Sequence, residues 1–153
     1  MGEGIKIVAT NRKARHDYHI DDTLEAGIVL TGSEVKSLRE GRVNMSEAFV
    51  RIEDGEAYLF NCHISPYEQG GYANHEPLRK RKLLMHRNEL RKWKKATEQK
   101  GFTIVPLRLY FRNSYAKVEI GLARGKKLYD KRADIAEQES KRRLKKVMSE
   151  RNL

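Results

Sequence analysis

Cysteine is almost missing from this chain. The lone Cys62 excludes an internal disulfide framework and a thiolate zinc cluster, and it suits a reducing cytoplasm. Long apolar runs are missing too: none approaches the roughly 18 residues that span a bilayer, so no membrane partner is expected. The opening Met1-Gly2-Glu3-Gly4-Ile5 lacks a signal-peptide pattern. No Walker A loop, HExxH, GxSxG or CxxC motif occurs, and there is no internal repeat. Asp21 and Asp22 are adjacent, so in a strand their carboxylates face opposite ways and make a poor acid–base pair. The neighbours Cys62 and His63 diverge for the same reason. Nothing here argues for catalysis, and no metal, cofactor or small-molecule substrate is expected.

Acidic residues are outnumbered. Lys and Arg number 32 against 21 Asp and Glu, a formal +11. The excess is uneven: from Arg124 to Leu153 eleven cations face five acids, so one fifth of the chain holds +6 of that +11. Such asymmetry points to a polyanionic partner, nucleic acid before anionic membrane. The 153 residues, 39% hydrophobic, suit one body, residues 1–123, and a basic tail, residues 124–153. Within the tail, Asp134 and Glu137 have capping-box spacing, but Ile135, Leu144, Val147 and Met148 can bury little. The tail is therefore expected to be disordered or fraying alone and helical on a partner.

In the body, Lys6–Thr10 predicts a strand, and the basic run Asn11–His16 a bend into a second strand ending at Leu30, with Gly27 marking a bulge or a sharp bend. Thr31 and Glu34 have capping-box spacing for a short helix that Gly41 stops. Asp54-Gly55 between β-rich runs signals a hairpin. Residues 65–77, with Pro66, Gly70, Gly71, Asn74 and Pro77, read as an exposed loop. Leu83, Leu84, Leu90, Trp93 and Thr97 recur at helical spacing through Lys100, with Trp93 on the core side and Arg87, Arg91, Lys92, Lys94 and Lys95 on the other. Two strands, 102–111 and 116–122, meet at Asn113-Ser114, and Pro106 belongs at an edge or bulge. The sum is a mainly β protein, an OB-like closed antiparallel barrel with flanking helices.

For chemistry, Asn11-Arg12-Lys13-Ala14-Arg15-His16 clusters three permanent cations with an amide and an imidazole. Arg can fork to phosphate and Asn can read a base edge; equally, the run can be a solvated bend. Glu25 in an apolar strand either pairs with a nearby Arg, orients an Arg toward RNA, or accepts from a base amino group. The His86–Lys95 face is either an RNA surface or a soluble helix face. Asp130 amid so many bases either favours a following helix, orients Lys131 or Arg132, or meets a base edge.

Taken together, Asn11–Tyr18, Glu25–Ile28, Thr31–Arg39, and Gly125-Lys126-Lys127 followed by Asp130-Lys131-Arg132 resemble, in order and spacing, the SmpB family of SsrA-binding proteins. The resemblance covers essentially the whole chain. It implies an OB-like barrel that binds the tRNA-like domain of tmRNA. It also implies a tail that enters the ribosome's small-subunit decoding centre and the empty mRNA channel. By position, Asn11, Arg12, Lys13, Arg15, His16 and Glu25 fall in the family's RNA-facing motif. Leu84 and His86 match its tmRNA surface, and Arg124, Lys126 and Lys127 match its basic segment after the barrel. Gly125, Asp130, Lys131 and Arg132 match the tail motif that engages the ribosome. The family often has His where Tyr129 stands, and some members have Asn in place of His86. The implied function is noncatalytic delivery of tmRNA to stalled ribosomes for trans-translation. A ribosomal protein threading a basic tail through ribosomal RNA, or a nuclease with an unrecognised site, are the rival readings.

Overall fold

The structure is a computed structural model that describes residues 4–125. The expectations for Lys126, Lys127, Asp130, Lys131, Arg132 and a helix near Asp134 lie outside the described residues.

Strand β1 (Ile5–Thr10) leads into Asn11, whose side chain accepts from the Ala14 amide at 3.1 Å. That cap starts a six-residue helix, α1 (Arg12–Asp17), where the sequence suggested only a bend. Ala14 anchors it on Val105, Leu107 and Ala123 in a small second core. Strand β2 (Tyr18–Ile28) follows, with its register shift between Ile20 and Asp22 rather than at Gly27. Helix α2 (Gly32–Arg39) carries the expected capping box, and Gly41 follows its end at φ +72°.

β3 (Val43–Asn44) pairs only with β6 (His63–Ile64). Between them, β4 (Phe49–Glu53) and β5 (Glu56–Phe60) form the expected hairpin, with both turn residues at positive φ. The 65–77 segment is largely exposed but tied down: His75 Nε2 lies 2.8 Å from the Ile64 carbonyl, and its Nδ1 2.8 Å from Ser33 Oγ.

The helical spacing proposed from Leu83 onward is corrected. Residues Arg81–Leu84 form strand β7, with Arg81 and Leu83 inward and Lys82 and Leu84 outward. Ala57 and Ile28 flank Leu83 on the neighbouring strands, so two-residue alternation wins there. Helix α3 (Arg87–Thr97) begins only after His86 and buries Leu90 and Trp93.

β8 (Phe102–Arg112) and β9 (Tyr115–Gly125) are the long strands, and β9 continues two residues past the expected boundary at 123. The register of β8 shifts between Pro106 and Arg108, so Pro106 sits beside a bulge as its missing N–H requires. All pairings are antiparallel, and they run round a ring, β8–β4–β5–β7–β2–β9 and back to β8, with β1 added on β8. The main core fills that ring with Leu59, Leu83, Ile104, Leu109, Val118 and Ile120 among others.

Sequence reading did not foresee a charged pair within this core. Glu34 and Arg81 are both fully buried. Glu34 accepts from Arg79 at 2.6 Å, from the Thr31 amide at 2.8 Å, and from Arg81 Nε. Arg81 also donates to the carbonyls of Cys62 (2.7 Å) and Pro77 (3.1 Å). Burial pushes the Glu34 carboxyl up, but these donors outweigh it and hold the group down at about 2.

Candidate nucleic-acid interface

Asn11 is the interior hinge of the first patch. It is 4% exposed, and its Nδ2 donates to the carbonyls of Met45 (3.1 Å) and Pro106 (2.9 Å). Its backbone N–H donates to Leu107 at 2.8 Å, where the β8 bulge turns that carbonyl outward. Beside the base-edge reading, the amide has a role within the fold: its three side-chain hydrogen bonds hold α1 in place. What α1 presents outward is Arg12, Lys13, Arg15 and His16, all exposed. Lys13 pairs with Glu47, Arg15 reaches Glu119 at 3.4 Å, and His16 Nδ1 lies 3.0 Å from Asp17.

Glu119 joins this patch to a second. On the side of β8 away from the main core, half-buried Arg108 and Arg112 flank Tyr110, which is only 3% exposed, and Lys117 and Glu119 alternate on β9. Glu119 accepts from Arg108 at 3.0 Å as well as from Arg15. Directly opposite Glu119 in the β2–β9 register stands Glu25. It accepts from Tyr110 Oη at 2.5 Å and from Arg112 Nε at 2.9 Å. The guanidiniums of Arg108 and Arg112 lie 5.2 and 5.9 Å from the Tyr110 ring centre. Burial pushes the Glu25 carboxyl up, but Tyr110 and Arg112 hold it below the ordinary value. Burial, then the Glu25 carboxylate, push the Tyr110 phenol up to about 12. Both groups therefore keep one charge state at neutral pH, carboxylate and phenol.

The third patch is a concavity of about 550 Å³ that brings Glu25, Leu84 and His86 together, with Lys117 and Met85 on its walls. Leu84 projects from β7 with 55% of its surface exposed. Gly27 allows this: a Cβ there would stand 3.2 Å from that of Leu84. His86 heads α3, and its N–H donates to Glu89 at 3.0 Å.

Arg124 and Gly125 lie elsewhere on the sheet. They pair with His19 and Tyr18, about 26 Å along β2 from the Gly27–Lys117 pair at 3.3 Å per residue. Arg124 binds Asp21 at 3.1 Å, and its guanidinium stands 5.8 Å from the Phe102 ring centre. The last described residue of β9 thus lies beside the end of α1. Cys62 is fully buried and its thiol is pushed up to about 11, chiefly by that burial. Among the described residues no group of three His, Cys, Asp or Glu is arranged to hold a metal. No described helix is long and apolar enough to cross a membrane.

Sequence reasoning missed Arg108, Tyr110, Arg112 and Glu119, which unite the patches. A signal was present: three polar-tipped residues two apart in a strand otherwise rich in Val and Leu mark one outward face.

A small, mainly β protein with cationic and hydrogen-bonding groups spread over one sheet face falls in the class of basic binding proteins. Comparison with known proteins makes this specific. The family model described as SmpB protein matches residues 8–150, and the chain belongs to that family. A protein of Roseiflexus castenholzii called SsrA-binding protein is 60% identical over 152 residues, covering 98% of this chain and 96% of that one. One of the same name from Geobacillus thermodenitrificans is 55% identical over 150 residues, covering 98% and 96%. A solved chain from the structure called "tmRNA-SmpB: a journey to the center of the bacterial ribosome" superposes with TM-score 0.67 at 60% identity, covering 77% of this chain and 83% of that chain.

Proposed function

We propose that this protein binds the tRNA-like domain of tmRNA in the cytoplasm and delivers it to stalled ribosomes for trans-translation, acting as an adaptor without catalysis. In this reading the ring of strands is an OB-like closed barrel, residues 1–123 form the RNA-binding body, and residues 124–153 form the tail. The tail, with Gly125, Asp130, Lys131 and Arg132, engages the decoding centre and the vacant mRNA channel. Arg124, Lys126 and Lys127 add phosphate contacts where it leaves the body.

Family membership and the relatives' names support the partner. The observation that carries the site is the meeting of Glu25, Leu84 and His86 in one concavity, continuous through Glu119 with the cations of α1. Leu84 offers an apolar seat for an unstacked base or ribose, and the surrounding cations supply phosphate contacts. A-form RNA hides its major groove, so shape and a few exposed bases carry specificity. Arg12, Lys13, Arg15 and His16 meet the backbone, and Asn11 positions them from beneath.

The test is titration with the tRNA-like fragment of tmRNA and with an ordinary tRNA at several salt concentrations. Both affinities fall with salt, and the preference for the tmRNA fragment persists. Equal affinity for the two RNAs at every salt concentration would refute the reading.

A further inference from the structure

Helix α3 groups several cations that lack a carboxylate partner on one short element. That helix carries Arg87, Arg91, Lys92, Lys94 and Lys95 against a single acid, Glu89, which is turned back onto its first turn. Several cations elsewhere are answered: Lys13 by Glu47, Lys80 by Glu53, Lys82 by Glu56, Arg108 by Glu119. Lys92 has Asp22 at 3.8 Å. Among the described residues, Arg87, Arg91, Lys94 and Lys95 have no carboxylate within 4.0 Å.

A helix face kept merely for solubility would not be built this way. Arg87 with Arg91, and Arg91 with Lys95, are like charges at i, i+4, each pair costing an isolated helix about 0.2–0.5 kcal/mol. Glu at one of those positions would reverse the sign. The repulsion is relieved once an anion lies along the helix.

Geometry says which anion. Arg87, Arg91 and Lys94 follow one flank of α3 over about 10 Å at 1.5 Å per residue. They line a cleft of about 500 Å³ whose apolar side is Ile52, Met85 and Leu90. Asp54 and Glu56 stand on the facing hairpin, so an anion is steered to the helix side. Met85 and Glu56 also line the concavity of Glu25, Leu84 and His86. The two hollows are therefore neighbours with a shared wall.

We infer that α3 extends the RNA-binding face. The strand of tmRNA seated at Leu84 and His86 continues past Met85 into the α3 cleft. There its phosphates meet Arg87, Arg91 and Lys94, and a ribose or base edge rests on Ile52, Met85 and Leu90. This rests on the tmRNA reading above, because adjacency to that face is what selects an RNA strand over another polyanion.

The experiment titrates the full chain with the tRNA-like fragment across a range of salt. Each lost phosphate contact lowers the slope of log K against log salt by about 0.7–0.9, so the triple variant Arg87→Gln, Arg91→Gln, Lys94→Gln should lose about two units of slope. Arg87→Lys with Arg91→Lys should keep the slope, and Leu84→Ala should weaken binding without changing it. The triple variant should melt no lower than the parent, because it removes repulsion. If it keeps parental affinity and slope while Leu84→Ala weakens binding, the α3 inference falls and the tmRNA reading stands. If Leu84→Ala and Glu25→Ala are silent as well, both fall. Parental binding of the fragment with weakened binding to ribosomes would assign α3 to ribosomal RNA and overturn the inference.

Discussion

Tyr110 and Glu25 meet at 2.5 Å on the outer face of the sheet, phenol donating to carboxylate, although 85 residues separate them in sequence. The contact fixes a carboxylate within the face proposed to meet RNA. A bare carboxylate there would repel phosphate; this one is answered by Arg112 on the same oxygen. It therefore holds the guanidinium in place at little electrostatic cost.

Glu25→Ala should release both Tyr110 and Arg112 and lower affinity for the tRNA-like fragment by about tenfold, equivalent to about 1.4 kcal/mol. Tyr110→Phe leaves Arg112 in place and should cost less. Titration calorimetry with melting curves separates lost binding from lost folding. The pH dependence has a definite sign. The Glu25 carboxyl is held below its ordinary value, so the arrangement persists above the ordinary carboxylate range and fails only as pH falls through the depressed value. Between about pH 7 and pH 5, well above an ordinary Glu pKa of about 4.3, Glu25 should contribute no change in affinity. A fall across that interval that Glu25→Gln abolishes would contradict this.

Glu34 bears on stability instead. Its folded carboxyl sits at about 2 against an ordinary 4.5, so the stability it contributes is fully present above that ordinary value. It is lost as pH falls from there through about 2. Glu34→Gln should therefore flatten the acid limb of the stability curve in that window. At neutral pH it should destabilise by about 3–5 kcal/mol, because Arg81 is left buried without its counter-charge. Urea titrations at several pH values read both effects, and an unchanged acid limb would contradict the assignment.

The contrast between these two glutamates shows what a sequence discloses. The Thr31–Glu34 box was legible because capping is set by four consecutive residues. The same locality made the Asp54-Gly55 turn and the Pro106 bulge legible. That Glu34 also meets Arg79 and Arg81 was not, since those partners are 45 and 47 residues away and their approach depends on the closed circuit of strands. Leu83 and Leu84 misled for a related reason. A four-residue strand offers too few turns of either period to separate two from 3.6, and only the pairing of Ala57 with Leu83 decides it. In the candidate site, family resemblance supplied Leu84 and His86, which composition alone would have passed over. It could not show that Asn11 is interior, because a cap and a base-reading amide look alike in sequence.

Asn11→Ala should accordingly act through folding. Loss of an Asn cap typically costs about 0.5–2 kcal/mol. Here two further carbonyls, of Met45 and Pro106, are left without their donor, so the upper part of that range is expected. Asn11→Asp keeps the acceptor for Ala14 but loses both donations. Binding of the tRNA-like fragment should fall for both variants in step with amide-exchange protection of α1. Weakened binding with α1 fully protected would make Asn11 a direct contact.

The last prediction concerns the tail. Gly125, the last described residue of β9, pairs with Tyr18, and Arg124 beside it is tied to Asp21. A chain cut after Leu128 keeps every described contact, together with Lys126 and Lys127. It should bind the tRNA-like fragment with affinity close to the full chain. If the tail substitutes for missing codon pairing, the same truncation should abolish tagging of stalled products. Replacing Asp130, Lys131 and Arg132 by Ala should do so without shortening the chain. Tagging in a reconstituted translation system, run beside the binding titration, reads the two capabilities separately. Normal tagging by the truncated chain would mean that the body alone suffices, and the division of labour between sheet and tail would have to be abandoned.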